Sequence, residues 1–223
     1  MLNSKQFKHN FLPLVEMSRV EVGGRRVYSL PDGTQLPSVT TVLSQALDKG
    51  ALDKWKQKVG EEEAKRISTQ AATRGTALHK LAENYLLNES NYKAGHMPAN
   101  IDTFNALKPL IDKHIDTILG IEMPLFSKAL NAAGTADLIA LYDNKLSVID
   151  FKTSRKPKKE EWIENYFIQA TTYSLMFEWM YKISVPQIAI LIAVDHEEPQ
   201  VFVKERSQYV NRVLEIFNPS LAN

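Results

Sequence analysis

A run of seven apolar residues, Ile188 to Val194, restricts the possible folds of this sequence more than any other segment. The run has the length of a β-strand, and because no polar residue alternates with the apolar ones, both faces of the strand must be covered. It is much shorter than the ~20 residues that a membrane-spanning helix needs. The sequence therefore predicts a sheet packed between two layers, with no membrane partner.

Hydrophobic periodicity and turn residues predict the remaining elements. The two strands on either side of Asp143-Asn144 should pair as an antiparallel hairpin. The predicted elements are an arm or short helix over 1–24, a hairpin of 25–30 with 35–36 around Pro31-Asp32-Gly33, a helix capped by Ser38, helices over 52–87 that divide near 68–75, a helix over 101–117, strands over 122–130, 135–142, 146–153, 187–194 and 201–204, and helices over 160–181 and 207–217.

This order favours an α/β (α+β) fold, in which helices flank a mixed central β-sheet and a helical segment precedes it. A length of 223 residues suits one domain, with an N-terminal arm, small hairpin and helical clamp over 1–117 and a core over 118–223.

Composition excludes several kinds of site. The absence of cysteine rules out disulfides, thiolate nucleophiles and cysteine-ligated metal clusters. Lysine and arginine together number 27 against 26 acidic residues, so the net charge is +1 and any nucleic-acid site must be a local patch. The first ten residues lack an apolar core typical of secretory signals, and together these features predict a cytoplasmic location.

Asp137, Asp150 and Lys152 form the most informative group of charged residues. Residues two apart on a strand share a face, so Asp150 and Lys152 point the same way while Phe151 points into the opposite layer. Asp137 lies on the paired strand. Two converging carboxylates suit a divalent cation, and a nearby ammonium can hold an attacking water. The alternative is an exposed strand face with a weak ion pair.

His79 and Glu83 share one face of a predicted helix, and Arg74 lies near its start. Imidazole is a frequent ligand of divalent metals, and an arginine at this place can contact a phosphate. The alternatives are a surface or core histidine with one hydrogen bond and a solvated arginine.

Gln169 and Tyr173 lie one helical turn apart on the helix that follows the Lys152 strand. Their spacing predicts that both face the end of that strand, where they can position a water, Lys152 or a phosphate. Ordinary helix packing, with the amide hydrogen-bonded, explains the same spacing.

The segment from Lys152 to Lys159 has five cations, including Arg155 and Lys156, and no acid. Such a segment can line a groove that follows a nucleic-acid backbone, or it can be a solvated loop. Trp162 and Tyr166 follow, and they can stack on bases or pack in the core.

Four motifs appear in one order: GTALH at 75–79, GTADL at 134–138, VIDFKTS at 148–154 and QATTY at 169–173. This series resembles that of the PD-(D/E)XK nuclease superfamily, and most closely its RecB-like branch. The PSVTTVLS stretch at 37–44 is also similar to a stretch in mitochondrial genome maintenance and phage exonucleases. Because cysteine is absent, the sequence departs from the iron–sulfur members of the branch.

The resemblance implies a restriction-endonuclease-like core and a role for each matching residue. These roles are metal binding by His79, Asp137, Asp150 and the backbone carbonyl of Phe151; catalysis by Lys152, Asp150 and Asp137 with Gln169 and Tyr173; support by Glu122; and DNA binding by Ser38, Thr40 and Thr41. Helix spacing and the basic segment add Glu83 as a supporting residue and Arg74, Arg155 and Lys156 as DNA-binding residues.

The activity implied by the resemblance is hydrolysis of DNA phosphodiester bonds with Mg²⁺ or Mn²⁺, by an exonuclease acting on single-stranded ends. A histidine ligand favours Mn²⁺. The expected partners are DNA and proteins of replication, recombination or repair in a bacterial or phage-infected cell. Two alternatives remain: a non-catalytic nuclease-fold module that binds DNA in a recombination complex, and an interaction protein in which these charges form structural ion pairs.

Overall fold

The computed structural model describes residues 5–47 and 50–221, which form nine strands and six α-helices. In chain order these elements are β1 (Lys8–His9), β2 (Ser18–Val22), β3 (Arg25–Ser29), β4 (Gln35–Pro37), α1 (Val39–Ala46), α2 (Gly50–Val59), α3 (Glu61–Leu86), α4 (Pro98–His114), β5 (Ile115–Ser127), β6 (Ala132–Tyr142), β7 (Lys145–Ser154), α5 (Glu164–Tyr181), β8 (Gln187–Val194), β9 (Gln200–Glu205) and α6 (Val210–Phe217). Short 3₁₀ helices cover Glu160–Trp162, Arg206–Gln208 and Pro219–Leu221.

The central sheet has six strands in the order β1-β5-β6-β7-β8-β9. The pairs β5–β6, β6–β7 and β8–β9 are antiparallel, whereas β7 and β8 are parallel and are connected by α5. A parallel pair needs such a crossover because its strands start at the same edge. The predicted mixed central sheet flanked by helices is confirmed, and so is the hairpin of β6 and β7.

Helices cover both faces of this sheet. On one face, Leu81 of α3 and Phe104 of α4 pack with Phe151 and Leu191 in one apolar cluster; on the other, α1, α5 and α6 pack on a second cluster that contains Ile190. All of β8 is buried, as the apolar run predicted. No helix of the described residues is long and apolar enough to cross a membrane.

A second sheet of three antiparallel strands, β2-β3-β4, lies near the N-terminus. The predicted hairpin around Pro31-Asp32-Gly33 is confirmed as β3 and β4. The short helix proposed within residues 1–24 is wrong for residues 5–24, where the chain forms β1 and β2 instead. β1 pairs with β5, so the arm is tied to the central sheet by backbone hydrogen bonds that its weak side-chain pattern does not encode.

The helical segment is interrupted at Gly60 and not at the predicted 68–75. Gly60 has φ +85° and ψ 155°, a conformation that is open almost only to glycine, and three glutamates follow it in the first turn of α3. The small polar residues at 68–75 are compatible with a continuous helix, and Gly75 has open space where a side chain would be.

Several helices and strands begin or end at residues other than those predicted. The helix predicted over 101–117 is α4, which begins at Pro98 in the first turn, a favoured proline position, and ends at His114. β5 begins at Ile115 and not at 122, because Ile115 and Ile118 are fully buried against the sheet. The segment predicted as one helix over 160–181 starts with the 3₁₀ turn Glu160–Trp162, and the helix predicted from 207 begins at Val210.

Candidate active site

The strands β6 and β7 separate next to Asp137, and this separation positions the candidate site. Their turn, Asp143-Asn144, has φ values of +50° and +63°, as in a tight type I′ hairpin turn. Their pairing runs from this turn to Leu138–Ile149 and stops there. Beyond that point the Asp137 Oδ2 accepts a hydrogen bond from the Phe151 backbone N–H at 2.8 Å. The carboxylate therefore takes the place of a backbone acceptor where the two strands diverge.

A cleft of about 760 Å³ lies at this divergence. Its wall includes His79 and Glu83 from α3, Glu122 from β5, Asp137 from β6 and Lys152 from β7. Residues of α5, of the segment that begins α1 and of the small sheet complete it. The volume is within the range of about 300–1,000 Å³ typical of ligand sites. The predicted helical and strand residues thus meet in one concave surface.

His79, Glu122 and Asp137 form a group whose potential ligand atoms all lie within 4.8 Å of one another. His79 Nδ1 is 3.3 Å from Asp137 Oδ1 and 3.7 Å from Glu122 Oε1. Two ligands of a divalent ion are at most about 4–5 Å apart, so this donor set fits one ion with little movement. Each residue comes from a different element, which is why the sequence shows no compact ligand motif.

Glu122 faces Asp137 across the β5–β6 ladder, because its neighbours Ile121 and Met123 pair with Leu138 and Ala136. Its φ of +44° is a backbone conformation that is unfavourable for any residue other than glycine. The family resemblance implies only a supporting role for Glu122, whereas in the structure Glu122 lies in the three-residue group.

Electrostatics couple the members of this group. Burial disfavours a charged His79, but hydrogen bonds to Asp137 and Glu122 and the charges of Asp137 and Asp150 outweigh it and raise the pKa of His79 to about 10. Burial likewise opposes ionisation of Asp137, yet the hydrogen bond from His79 and the charge of Lys152 outweigh burial and hold the pKa of Asp137 below its ordinary value. Without a metal, a protonated imidazole therefore supplies the positive charge between the two carboxylates.

Asp150 and Lys152 lie on one face of β7, as the alternation predicted, and their side chains are in contact. Phe151 packs on the opposite face, in the cluster under α3 and α4. Asp150 is 1% exposed; burial and the neighbouring Asp137 raise its pKa to about 6 despite Lys152. Burial lowers the pKa of Lys152, but the charges of the two aspartates raise it by more, so the pKa of Lys152 lies above its ordinary value. Lys152 is therefore an ammonium at neutral pH.

The Asp150 carboxylate stands beside the three-residue group and is not one of its members. Its Oδ1 accepts a hydrogen bond from Gln169 Nε2 at 3.1 Å. Its Oδ2 contacts the Lys152 ammonium without a hydrogen bond of regular geometry. The Lys152 Nζ also lies 5.2 Å from the centre of the Tyr166 ring, which gives a cation–π contact.

Gln169 and Tyr173 both face the cleft from α5. Tyr173 is 4% exposed and packs closely on β6, because a Cβ added to Gly134 would lie 2.6 Å from the Tyr173 Oη. Glycine at 134 therefore allows the close approach of tyrosine to the strand that carries Asp137.

Ser38 begins α1 as the predicted N-cap, and its Oγ accepts a hydrogen bond from the Thr41 backbone N–H at 3.0 Å. Ser38 and Thr40 line the cleft. The Thr41 hydroxyl pairs with Ser38 Oγ at 2.7 Å, so this hydroxyl supports the cap.

Four predicted DNA-binding residues do not line this cleft: Thr41 and the three basic residues. Arg74 forms an ion pair with Asp195 at a separate cleft, Arg155 donates to Gln70 Oε1 at 2.9 Å, and Lys156 is exposed. Of the basic segment 152–159, only Lys152 is part of the cleft. The exposed Trp162 packs against Lys159 and does not belong to the core.

The predicted site residues do not include Arg19, Arg26 and Tyr28, which line the cleft from the small sheet, or Lys80, which pairs with Glu83. The alternation of Arg26 and Tyr28 within the predicted hairpin was a usable signal. β2, which carries Arg19, was not predicted.

Comparison with known proteins shows that this chain is similar in sequence to exonucleases. The chain is 31% identical over 143 residues to human mitochondrial genome maintenance exonuclease 1 and 28% identical over 130 residues to the mouse protein. These matches cover 61% and 55% of this chain, but only 40% and 38% of the relatives. The chain therefore spans well under half the length of the curated relatives it matches.

A solved structure of a putative exonuclease from Eubacterium rectale aligns with a TM-score of 0.41 and 13% identity, covering 66% of this chain and 68% of that one. No protein-family model matches the sequence.

Proposed function

We propose that this chain is a divalent-metal-dependent deoxyribonuclease of the PD-(D/E)XK superfamily that acts as an exonuclease on single-stranded DNA ends. The proposal rests on one observation: His79, Glu122, Asp137 and Lys152 line one cleft, and the buried Asp150 carboxylate is in contact with Lys152. Similarity to exonucleases named for mitochondrial genome maintenance supports the same activity.

His79, Glu122 and Asp137 would hold the ion, with the Asp150 carboxylate and the Phe151 carbonyl beside them. A bound divalent ion supplies Lewis-acid stabilisation of charge on a phosphoryl oxygen. An imidazole and two carboxylates suit Mn²⁺ at least as well as Mg²⁺, which prefers oxygen ligands.

Lys152 would orient the attacking water or a phosphate oxygen by donating hydrogen bonds. Its raised pKa keeps it protonated at neutral pH, so it is a donor and not a base. Asp150 and the Tyr166 ring hold the ammonium in place, and Gln169 orients Asp150. This ordered set of contacts lets the chain position a water in line with the scissile bond.

A clamp formed by α2 and the first half of α3 would select single strands. Residues 65–73 of α3 are mostly exposed, whereas Leu78, Leu81 and Leu86 further along are buried. Lys54, Lys56 and Lys58 on α2 are exposed. The exposed lysines of α2 would contact the backbone of a flexible single strand, whereas the glutamates at the start of α3 leave the two helices together close to neutral.

Digestion of end-labelled linear DNA, circular single-stranded DNA and RNA of the same sequence, with Mg²⁺, Mn²⁺ or EDTA, tests the proposal. We expect metal-dependent loss of linear DNA with circular DNA intact. Cleavage of circles would make the enzyme an endonuclease, and inactivity on every substrate with both metals would favour the non-catalytic DNA-binding module.

Lys152→Ala should lower the cleavage rate on the order of 100- to 1,000-fold, since it removes a donor at the reacting phosphate. The matched control is Lys145→Ala, at the far end of the same strand, where Lys145 pairs with Glu205. A Lys152→Ala protein that folds and cleaves at the parental rate would contradict the proposed chemistry.

A further inference from the structure

The small sheet presents two arginines to the cleft on one face. Arg19 on β2 is directly opposite Tyr28 on β3, and Arg26 is directly opposite Glu21. Because alternate residues of a strand share a face, Arg26 and Tyr28 lie on the same side, and so do Arg19 and Glu21. Arg19, Arg26 and Tyr28 all line the cleft that contains His79 and Asp137. This face is therefore a second wall of the candidate site.

Both arginines are exposed, and neither has an ion pair or a side-chain hydrogen bond within residues 5–47 and 50–221. The other arginines with described side chains all have a partner there. These are Arg66 with Glu63, Arg74 with Asp195, Arg155 with Gln70, Arg206 with Glu178 and Arg212 with Glu215. Structural pairing thus explains the arginines elsewhere and leaves the two in the cleft unexplained.

The small sheet is fixed to the strand that carries Asp137. Tyr28 is 7% exposed and packs with Leu36 and with Ala133 of β6. Ser38, which follows β4, forms a bridge to Ala133, and its backbone N–H donates to the Arg26 carbonyl at 3.2 Å. The positive charge of Arg26 is also close enough to Tyr173 to lower the pKa of the Tyr173 hydroxyl in part, against the larger effect of burial. The two guanidinium groups are therefore carried by a platform with a defined position relative to the metal-binding group.

We infer that Arg19 and Arg26 bind two phosphates of the nucleic-acid backbone beside the phosphate that is cleaved. The inference rests on the proposed nuclease function and deepens it. The planar guanidinium matches phosphate geometry with paired hydrogen bonds. With a net charge of only +1, the chain needs a local positive surface to hold a polyanion, and the metal-binding group itself contributes two carboxylates, Glu122 and Asp137.

The test measures binding of a fluorescent single-stranded oligothymidine by anisotropy, across a salt series, in a Lys152→Ala background that prevents cleavage. Single-stranded binding has a log–log salt slope of about −0.7 for each phosphate neutralised. The combined change Arg19→Gln with Arg26→Gln should reduce the steepness of the slope by about 1.4 and weaken binding at least about tenfold at low salt. Arg19→Lys with Arg26→Lys should keep most of the slope.

Arg212→Gln, on α6 and away from the cleft, is the matched control and should leave slope and affinity unchanged. Because both cleft arginines are exposed, the melting temperature should stay at the parental value. An unchanged slope in the double glutamine variant, with DNA bound and cleaved by the parental chain, would overturn this inference alone. Failure of the parental chain to bind DNA would overturn it together with the proposed function.

Discussion

At the scale of single residues, the two carboxylates of Glu122 and Asp137 face each other across neighbouring strands with His79 between them. Like charges this close repel unless a cation lies among them. A protonated His79 meets this need without a metal, and a divalent ion would meet it by displacing the proton. Proton and metal should therefore compete for the same group.

The raised pKa of His79 predicts how metal-free stability depends on pH. The folded pKa of about 10 exceeds the ordinary histidine pKa of 6.5, so the stabilisation is fully present below pH 6.5 and is lost as the pH rises towards 10. Melting temperatures in EDTA should fall across this window by more in the parental chain than in His79→Asn. Curves that stay parallel from pH 6.5 to 10 would show that His79 has no charged partners.

Gly134→Ala should destabilise the fold by about 1–3 kcal/mol, because the new methyl would overlap the Tyr173 ring and hydroxyl. Gly75→Ala is the contrasting change: its Cβ has open space within α3, so it should stabilise by about 0.5–1 kcal/mol. Urea denaturation measures both. A neutral Gly134→Ala would mean that Tyr173 is not held against β6.

Among the candidate site residues, the amino-acid sequence predicts the geometry correctly where spacing along one element sets it. The alternation of Asp150, Phe151 and Lys152 and the one-turn spacing of Gln169 and Tyr173 correctly predicted their shared faces. The position of Glu122 opposite Asp137 depends on the register of two strands, which no local pattern fixes.

At the scale of elements, Gly60 separates α2 from α3. Gly60→Ala should cost about 1–3 kcal/mol, because alanine does not readily adopt φ +85° with ψ 155°. Thermal or urea unfolding measures the loss. If the variant is as stable as the parent, the helices join in a conformation open to other residues.

Element types could be predicted from the sequence, while several boundaries could not. The continuous apolar pattern of β8 and the turn between β6 and β7 are local signals, and both were confirmed. The first residues of β5 and the whole of β1 depend on pairing with distant strands. The helix break at Gly60 depends on one backbone conformation, which the cluster of small residues at 68–75 does not have.

At the scale of the whole molecule, the net charge of +1 is the sum of positive and negative side chains that lie on different parts of the surface. The carboxylates of Glu83, Glu122 and Asp137 line one part of the cleft, and the arginines of the small sheet line another. Such a division suits a substrate that is anionic along its length and must reach a cation at one point. The composition of the chain shows only the sum of these surfaces.

Calorimetric titration of Mn²⁺ into metal-free protein tests most directly whether His79, Glu122 and Asp137 hold one ion. We predict one ion bound per parental chain, and Asp137→Asn should weaken binding by at least about tenfold. Asp102→Asn, in the separate cleft near Asp195, is the control and should bind as the parent does. Equal Mn²⁺ binding by Asp137→Asn and the parental chain, or no binding by either, would contradict the metal centre.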